Sequence, residues 1–240
     1  MRSAQTVVIK QRFCGPPNSG NGGYSCGILG KHIPGPSQVR LHQPPPLDQL
    51  LTLSQDQDSW LLKHKGQLVG SAQPTQLDLS VPQPPNLQQA RAARMEYPDD
   101  KETVFGTCFV CGPARDAGDG LRLFCGAVED GSAEIPLVAC DWQPDSSLLD
   151  GEGNVADEYI WSALDCPSYF ALGLATDKIS LLAQMSCCID RPVPSNQPLI
   201  VYAWKRYIDG RKGFSAAALA NTEGDVLARA EHLWIELSDQ

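Results

Sequence analysis

No stretch of the 240 residues approaches the ~20 consecutive apolar positions that a membrane-crossing helix needs, so no membrane partner is expected. The stretch Met1 to Arg12 lacks the apolar core and small-residue cleavage site of a secretory signal. A cytoplasmic, unprocessed chain is the expectation. Basic residues are scarce: 19 Lys and Arg stand against 28 Asp and Glu, for a net charge of -9. The only basic clusters are Lys205-Arg206 and Arg211-Lys212, too short to track a phosphate backbone, so no nucleic acid is expected as partner. The same acidity counts against a phosphate-bearing ligand unless the basic residues gather locally. The glycine-rich loop from Gly15 to Gly23 has no Lys-Ser/Thr pair after it and lacks the spacing of a dinucleotide fingerprint. No cofactor is expected.

Metal-ligand pairs are wanting too. Cys108-Phe109-Val110-Cys111 is a C-x-x-C, but a structural zinc site usually adds a second pair. Cys187 and Cys188 are the only other close pair, and adjacent residues on a strand face opposite sides. Gly112-Pro113 gives a turn after the motif where a redox site opens a helix. Structural cysteines and no metal are therefore expected. Cys26, Cys166, Cys187 and Cys188 sit in apolar contexts, where a thiol behaves as a small hydrophobe. With nine cysteines and no secretory signal, reduced thiols are expected rather than a disulfide framework.

What is present is enough apolar sequence, 42%, to bury a core, and it is written twice. Gln38 to Thr52 (QVRLHQPPPLDQLLT) matches Cys187 to Val201 (CCIDRPVPSNQPLIV), pairing Leu41 with Ile189, Pro44 with Pro192 and Pro46 with Pro194. Each reads as a strand, a proline turn that cannot continue the ladder, and a second strand. GQLVGSAQPTQL from Gly66 resembles GDVLARAEHLWIEL from Gly224, the offset having grown by ten residues through a longer hairpin with its tip near Ile208 to Arg211. Gly22 to Leu29 and Asp157 to Leu164 both read as the opening of a helix. TVVIKQRF and GLRLFCGAVED are the expected first strands of the two copies. Three matches in one order indicate duplication. A helix followed by antiparallel strands makes each copy an α+β unit. The expected division is unit one at 1–80, a Pro- and Gln-rich linker at 81–102 with a short helix over Leu87 to Met95, and unit two at 103–240.

Gly23-Tyr24-Ser25-Cys26-Gly27 matches G-x-S-x-G, the nucleophile elbow of serine hydrolases, with His232 as a base elsewhere in the chain. The elbow requires a buried strand before it, and here the preceding residues are loop chemistry. A serine hydrolase using Ser25 is kept as an alternative.

Cys108-Phe109-Val110-Cys111-Gly112-Pro113 followed by Gly120-Leu121-Arg122-Leu123 resembles the opening of hot-dog thioesterases of the phenylacetate-pathway type. Asn21-Gly22-Gly23 resembles the His-Gly-Gly that opens their central helix, with Asn in the His position. In that family an acidic residue follows nine positions after the His; copy one has Gly30 there, and copy two, counted from Ala156, has Asp165. The resemblance implies a double hot-dog, two antiparallel curved sheets each wrapped around a central helix and packed as an intramolecular pseudo-dimer. It implies an acyl-CoA thioesterase-like enzyme, or a non-catalytic protein that binds an acyl or apolar ligand, with an acyl thioester or other small apolar ligand as partner and a homodimer of the pseudo-dimer as assembly. Its site would be Asn21, Gly22 and Gly23 from copy one with Asp165 from copy two. A helix N-terminus suits a developing oxyanion, and a carboxylate nearby suits a base or nucleophile. The plainer readings are an N-cap for Asn21, a helix end for Asp165, and first-turn acids for Asp157 and Glu158.

Overall fold

The computed structural model describes residues 4–97, 105–129, 135–173 and 179–237. In chain order the elements are β1 (Gln5–Val7), α1 (Gly22–Gly30), β2 (Ser37–Leu41), β3 (Leu51–Asp56), β4 (Ser59–His64), β5 (Gln67–Pro74) and α2 (Leu87–Arg94). Then follow β6 (Gly126–Ala127), β7 (Leu137–Trp142), α3 (Asp157–Phe170), β8 (Ser180–Ile189), β9 (Leu199–Asp209), β10 (Lys212–Ala220) and β11 (Val226–Glu236).

All pairings among these strands are antiparallel, and the expected two sheets are joined into one of 11 strands in the order β1-β3-β4-β5-β2-β8-β11-β10-β9-β7-β6. The join is β2 against β8, where Gln38 lies opposite Ser186. Moving outward from that join, the two sides repeat one connectivity, β2-β5-β4-β3-β1 on one and β8-β11-β10-β9-β7 on the other. Continuous pairing leaves no edge between the two sides, which removes the liability of unpaired backbone there.

One expected strand is corrected. The residues equivalent to β1 are β7, not the Gly120 stretch: β1 pairs with β3 and β7 pairs with β9. Of the described residues of GLRLFCGAVED only Gly126–Ala127 joins the sheet, as the outermost strand β6. Arg122 adopts φ +53, a left-handed conformation that interrupts an extended run. Upstream, TVVIKQRF is strand only through Val7; Gln11–Phe13 is a turn of 3-10 helix. The longer hairpin is as expected, with Gly210 (φ +55) and Arg211 between β9 and β10.

Both faces of the first six residues of β9 are covered. On β9, Leu199, Val201 and Ala203 enter the core beneath α3, while Ile200, Tyr202 and Trp204 pack on the other side with Leu77, Leu79 and Ala90. That explains the unbroken apolar run LIVYAW, since a strand buried on both faces does not alternate. On β3, by contrast, buried Leu51 and Leu53 alternate with exposed or half-exposed Thr52 and Ser54. The cover is the end of unit one together with the linker. Its helix α2 forms, held by a capping box between Asn86 and Gln89, and packs on β7 and β9. Tyr202 donates its hydroxyl to the Pro82 carbonyl at 3.1 Å. Linker residues 98–102 lie outside the described residues.

Candidate functional site

Helices α1 and α3 lie side by side on the inner face of the sheet, antiparallel, and α1 owes its closeness to glycine. A methyl group on Gly27 would sit 2.5 Å from the Glu158 Cα, and one on Gly30 would sit 2.4 Å from the Trp161 ring. One on Gly23 would meet the Asp165 Cβ at 2.5 Å and the Trp161 carbonyl at 2.7 Å. One on Gly22 would meet Leu182 at 2.8 Å. The bare faces of Gly22 and Gly23 are therefore filled by protein, and the glycines first serve helix packing. This packing carries the start of α1 to the middle of α3.

Asn21 is the N-cap of α1: its Oδ1 accepts the Tyr24 N–H at 2.9 Å. Its Nδ2 donates to Asp165 Oδ2 at 2.8 Å, across 144 residues of chain. Both side chains are 2% exposed. Asp165 does not end its helix, which runs through Pro167 to Phe170. Its other oxygen, Oδ1, is buried without a hydrogen-bond partner. Burial pushes its carboxyl up to about 7, against the Gly23 N–H beside it and the Asn21 amide, which both favour the charged form. Asn21, Gly22, Gly23 and Asp165 are thus brought together. Of the first N–H groups of α1, Tyr24's goes to the Asn21 side chain and Ser25's to the Asn21 carbonyl at 3.0 Å. The Gly22 N–H is not committed in either way.

The segment after the linker closes over this point. The Phe109 N–H donates to the Cys14 carbonyl at 2.8 Å, and Phe109 meets Phe13 edge-on with ring centroids 5.0 Å apart. Phe13 in turn stacks on Tyr24 at 4.0 Å. Residues assigned from sequence to unit two therefore lie against the opening helix of unit one. Cys108 arrives with them: the Asn21 Nδ2 is 3.9 Å from both the Cys108 and the Cys166 sulfurs. Cys166, expected as a small core hydrophobe, instead joins Cys108 and Cys111 in a group of three buried thiols. Sequence separation of 55 residues or more hides that grouping, and only its place next to Asp165 on α3 hints at it. All nine cysteines are buried with free thiols; Cys187 lies in the inner core and Cys188 in the outer one, facing opposite sides as expected.

Ser25 stands on α1 in an antiparallel protein, without the strand-turn-helix setting of a nucleophile elbow. Its hydroxyl donates to the Asn21 carbonyl at 2.7 Å. Both ring nitrogens of His232 lack hydrogen-bond partners, so the two residues do not form a nucleophile–base pair. His232 lies opposite Ser215 on the inner side of the sheet, and burial drives its imidazole down to about 3.

At the other end of the helix pair, Ala156 caps α3 with no side-chain bond and Gly30 takes the place of the acid. The Trp161 indole fills the space at Gly30. Lys31 pairs with Glu158 at 3.1 Å. An open cleft of about 270 Å³ lies outside the start of α3, lined by Asp157, Ile160, Arg191 and Val193 among others; it contains neither Asn21 nor Asp165.

No family model matches this sequence, and no curated protein does. Solved structures do. A tesB protein of Mycobacterium avium subs. paratuberculosis superposes with a TM-score of 0.63 at 10% identity, covering 98% of this chain and 93% of that one. An acyl-CoA thioesterase II, TesB2, from Mycobacterium marinum gives 0.62 at 9% identity, covering 99% and 94%. A conserved protein with a hot dog fold from Alicyclobacillus acidocaldarius gives 0.59 at 9% identity, covering 100% and 95%. Such likeness speaks for architecture, and it agrees with the antiparallel sheet and its two inner helices: this chain is an α+β protein with the hot-dog fold, built like the thioesterase II proteins.

Proposed function

We propose that the chain is a thioester hydrolase acting on an acyl-CoA or related acyl thioester, made of two fused hot-dog units that share one working junction. The units are 1–80 and 103–240, with 81–102 as the linker that pads the outer face of the second. The observation that carries the reading is the 2.8 Å bond from Asn21 to Asp165, which joins the helix start of one unit to the acid of the other. Asp165 Oδ1 is unpartnered and is the base that takes a proton from an attacking water. Asn21 holds the carboxylate through Oδ2 and fixes its orientation. The Gly22 N–H and the partial positive charge at the start of α1 face the oxyanion that forms when water adds to the thioester carbonyl. Collapse of that intermediate expels the thiolate and leaves the acid. Entry to Asp165 requires the Cys108–Cys111 segment to lift from the helix start, since the carboxylate is 2% exposed.

That burial also favours a second reading, in which the fold binds an acyl or apolar ligand without turnover. A panel of acyl-CoA thioesters, assayed with reduced, chelator-treated protein, separates the two. Wild type should release free thiol, and Asp165→Asn should lower kcat by about a hundredfold or more, the scale of a lost general base. Turnover that survives Asp165→Asn sinks the assignment of the base. Binding of the panel without turnover by wild type replaces the enzyme with the binding protein.

A further inference from the structure

Three thiols from two distant parts of the chain converge beside Asp165. The Cys108, Cys111 and Cys166 sulfurs all lie within 4.8 Å of one another, and all three residues are buried. The Cys108 and Cys166 sulfurs are 3.7 Å apart. Two thiolates on a tetrahedral zinc, each bonded at ~2.3 Å, stand about 3.8 Å apart, so this pair already has the span of shared ligands.

Hydrogen-bond donors are gathered around the three sulfurs. The backbone N–H groups of Val110 and Cys111 lie against the Cys108 sulfur, and the tight C-x-x-C turn brings them there. Gly112 closes the turn, where a side chain would collide with the Cys108 carbonyl at 2.5 Å. The Asn21 amide lies 3.9 Å from two of the sulfurs. The Tyr97 hydroxyl donates to the Cys111 carbonyl at 3.0 Å. Donors of this kind at the sulfurs, the Asn21 amide and the N–H groups of the turn, are what tunes a metal thiolate.

The fourth corner is next door. Asp165 Oδ2 is 4.0 Å from the Cys166 sulfur, and Asp165 Oδ1 is a buried oxygen with no partner. An unpaired buried carboxylate oxygen is costly, and a dication satisfies it together with the three sulfurs. We propose that Cys108, Cys111 and Cys166 bind a zinc ion, with the Asp165 carboxylate as the fourth, oxygen ligand. Loading releases the three thiol protons to solvent, and no electron is transferred. Copper(I), which thiolates also favour, would prefer the three sulfurs alone; the available carboxylate selects zinc.

The site stands apart from the thioesterase reading but competes with it for one residue. Asp165 cannot ligate zinc and serve as a base at once, so the loaded chain is closed and stable, and the stripped chain is the one able to turn over thioester.

The test is metal content and a cobalt spectrum on the full chain, purified under reducing conditions without chelator or metal-affinity tag. Wild type should carry about one zinc per chain. Replacement by cobalt(II) should give a thiolate charge-transfer band and the strong visible bands of tetrahedral cobalt. Cys166→Ser should lose most of the metal, while Cys187→Ser, on a distant strand, should keep it. Asp165→Asn should keep the thiolate band and weaken binding by about 10–100-fold. Wild type that takes up neither zinc nor cobalt overturns the proposal, and this arm holds even where Cys166→Ser does not fold. A zinc content unchanged in Cys166→Ser, or a native Cys108–Cys166 disulfide found by mass spectrometry, overturns it as well. A chain that binds zinc yet hydrolyses nothing after stripping refutes the thioesterase reading and leaves the metal site standing.

Discussion

The two ends of the α1–α3 pair are built alike and finished differently. At one end Asn21 caps α1 and bonds Asp165. At the other, Ala156 caps α3 without a side chain, Gly30 stands opposite, and the Trp161 indole lies on it. One end holds a carboxylate with one buried, unpartnered oxygen; the other is sealed by an aromatic ring. The difference teaches that two ends of one helix pair can share a backbone arrangement, while single residues decide whether an end is polar or sealed by an aromatic ring.

The largest way to break this contrast is to unseal the packed end. Trp161→Ala should cost about 3–5 kcal/mol, the range for removing a large buried aromatic ring. Urea unfolding measures it; a loss under 1 kcal/mol would mean the indole is not the seal. Gly23→Ala comes next. Its methyl group would press on the α3 backbone at the Trp161 carbonyl, which cannot rotate away, so about 3 kcal/mol is expected, the upper part of the overpacking range. Gly151→Ala, where a methyl group meets nothing within 4 Å, is the control and should be near neutral.

A third effect separates the sheet beneath the two helices. Under α1 the sheet carries buried Val39 and Leu62, whereas under α3 it carries the polar pair Ser215 and His232. The unfolded imidazole protonates near 6.5 and the folded one only near 3. Acid therefore favours the unfolded chain: stability is full above pH 6.5 and is lost as pH falls toward 3. The slope cannot exceed about 1.4 kcal/mol per pH unit for one group, so roughly 2 kcal/mol should disappear between pH 6.5 and 5. His232→Leu should flatten that slope in parallel urea titrations, and an unchanged slope would rule His232 out as its source. The smallest effect sharpens the contrast of caps. Asn21→Ala should cost about 1–2 kcal/mol and Ala156→Asn should gain about 0.5–1 kcal/mol, both read from thermal melts. Equal and opposite sensitivity would show that the caps alone distinguish the two ends.

Much of this was legible in sequence because local chemistry encodes it. The proline turns after Leu41 and Ile189, the Gly210 hairpin and the helix starts at Gly22 and Asp157 appear where their residues demand. The pairing of Asn21 with Asp165 was what the resemblance to hot-dog thioesterases implied, and the 2.8 Å bond between them is where that resemblance and the structure meet. The Gly120 stretch failed because GLRLF has a strand's composition but sits where Arg122 takes φ +53, and its Leu121 and Leu123 N–H groups go to the Phe109 and Val110 carbonyls instead of to the sheet.

The sequence by itself determined the α+β class and the residues at each helix start, because periodicity and turn chemistry act over a few residues. Only the tertiary structure decided three things. It fused the two runs of strands through β2 and β8, laid the linker on Tyr202 and Trp204, and drew Cys166 to Cys108 and Cys111. Each depends on which surfaces remain apolar or unpaired after the local elements form, and a linear pattern does not carry that information.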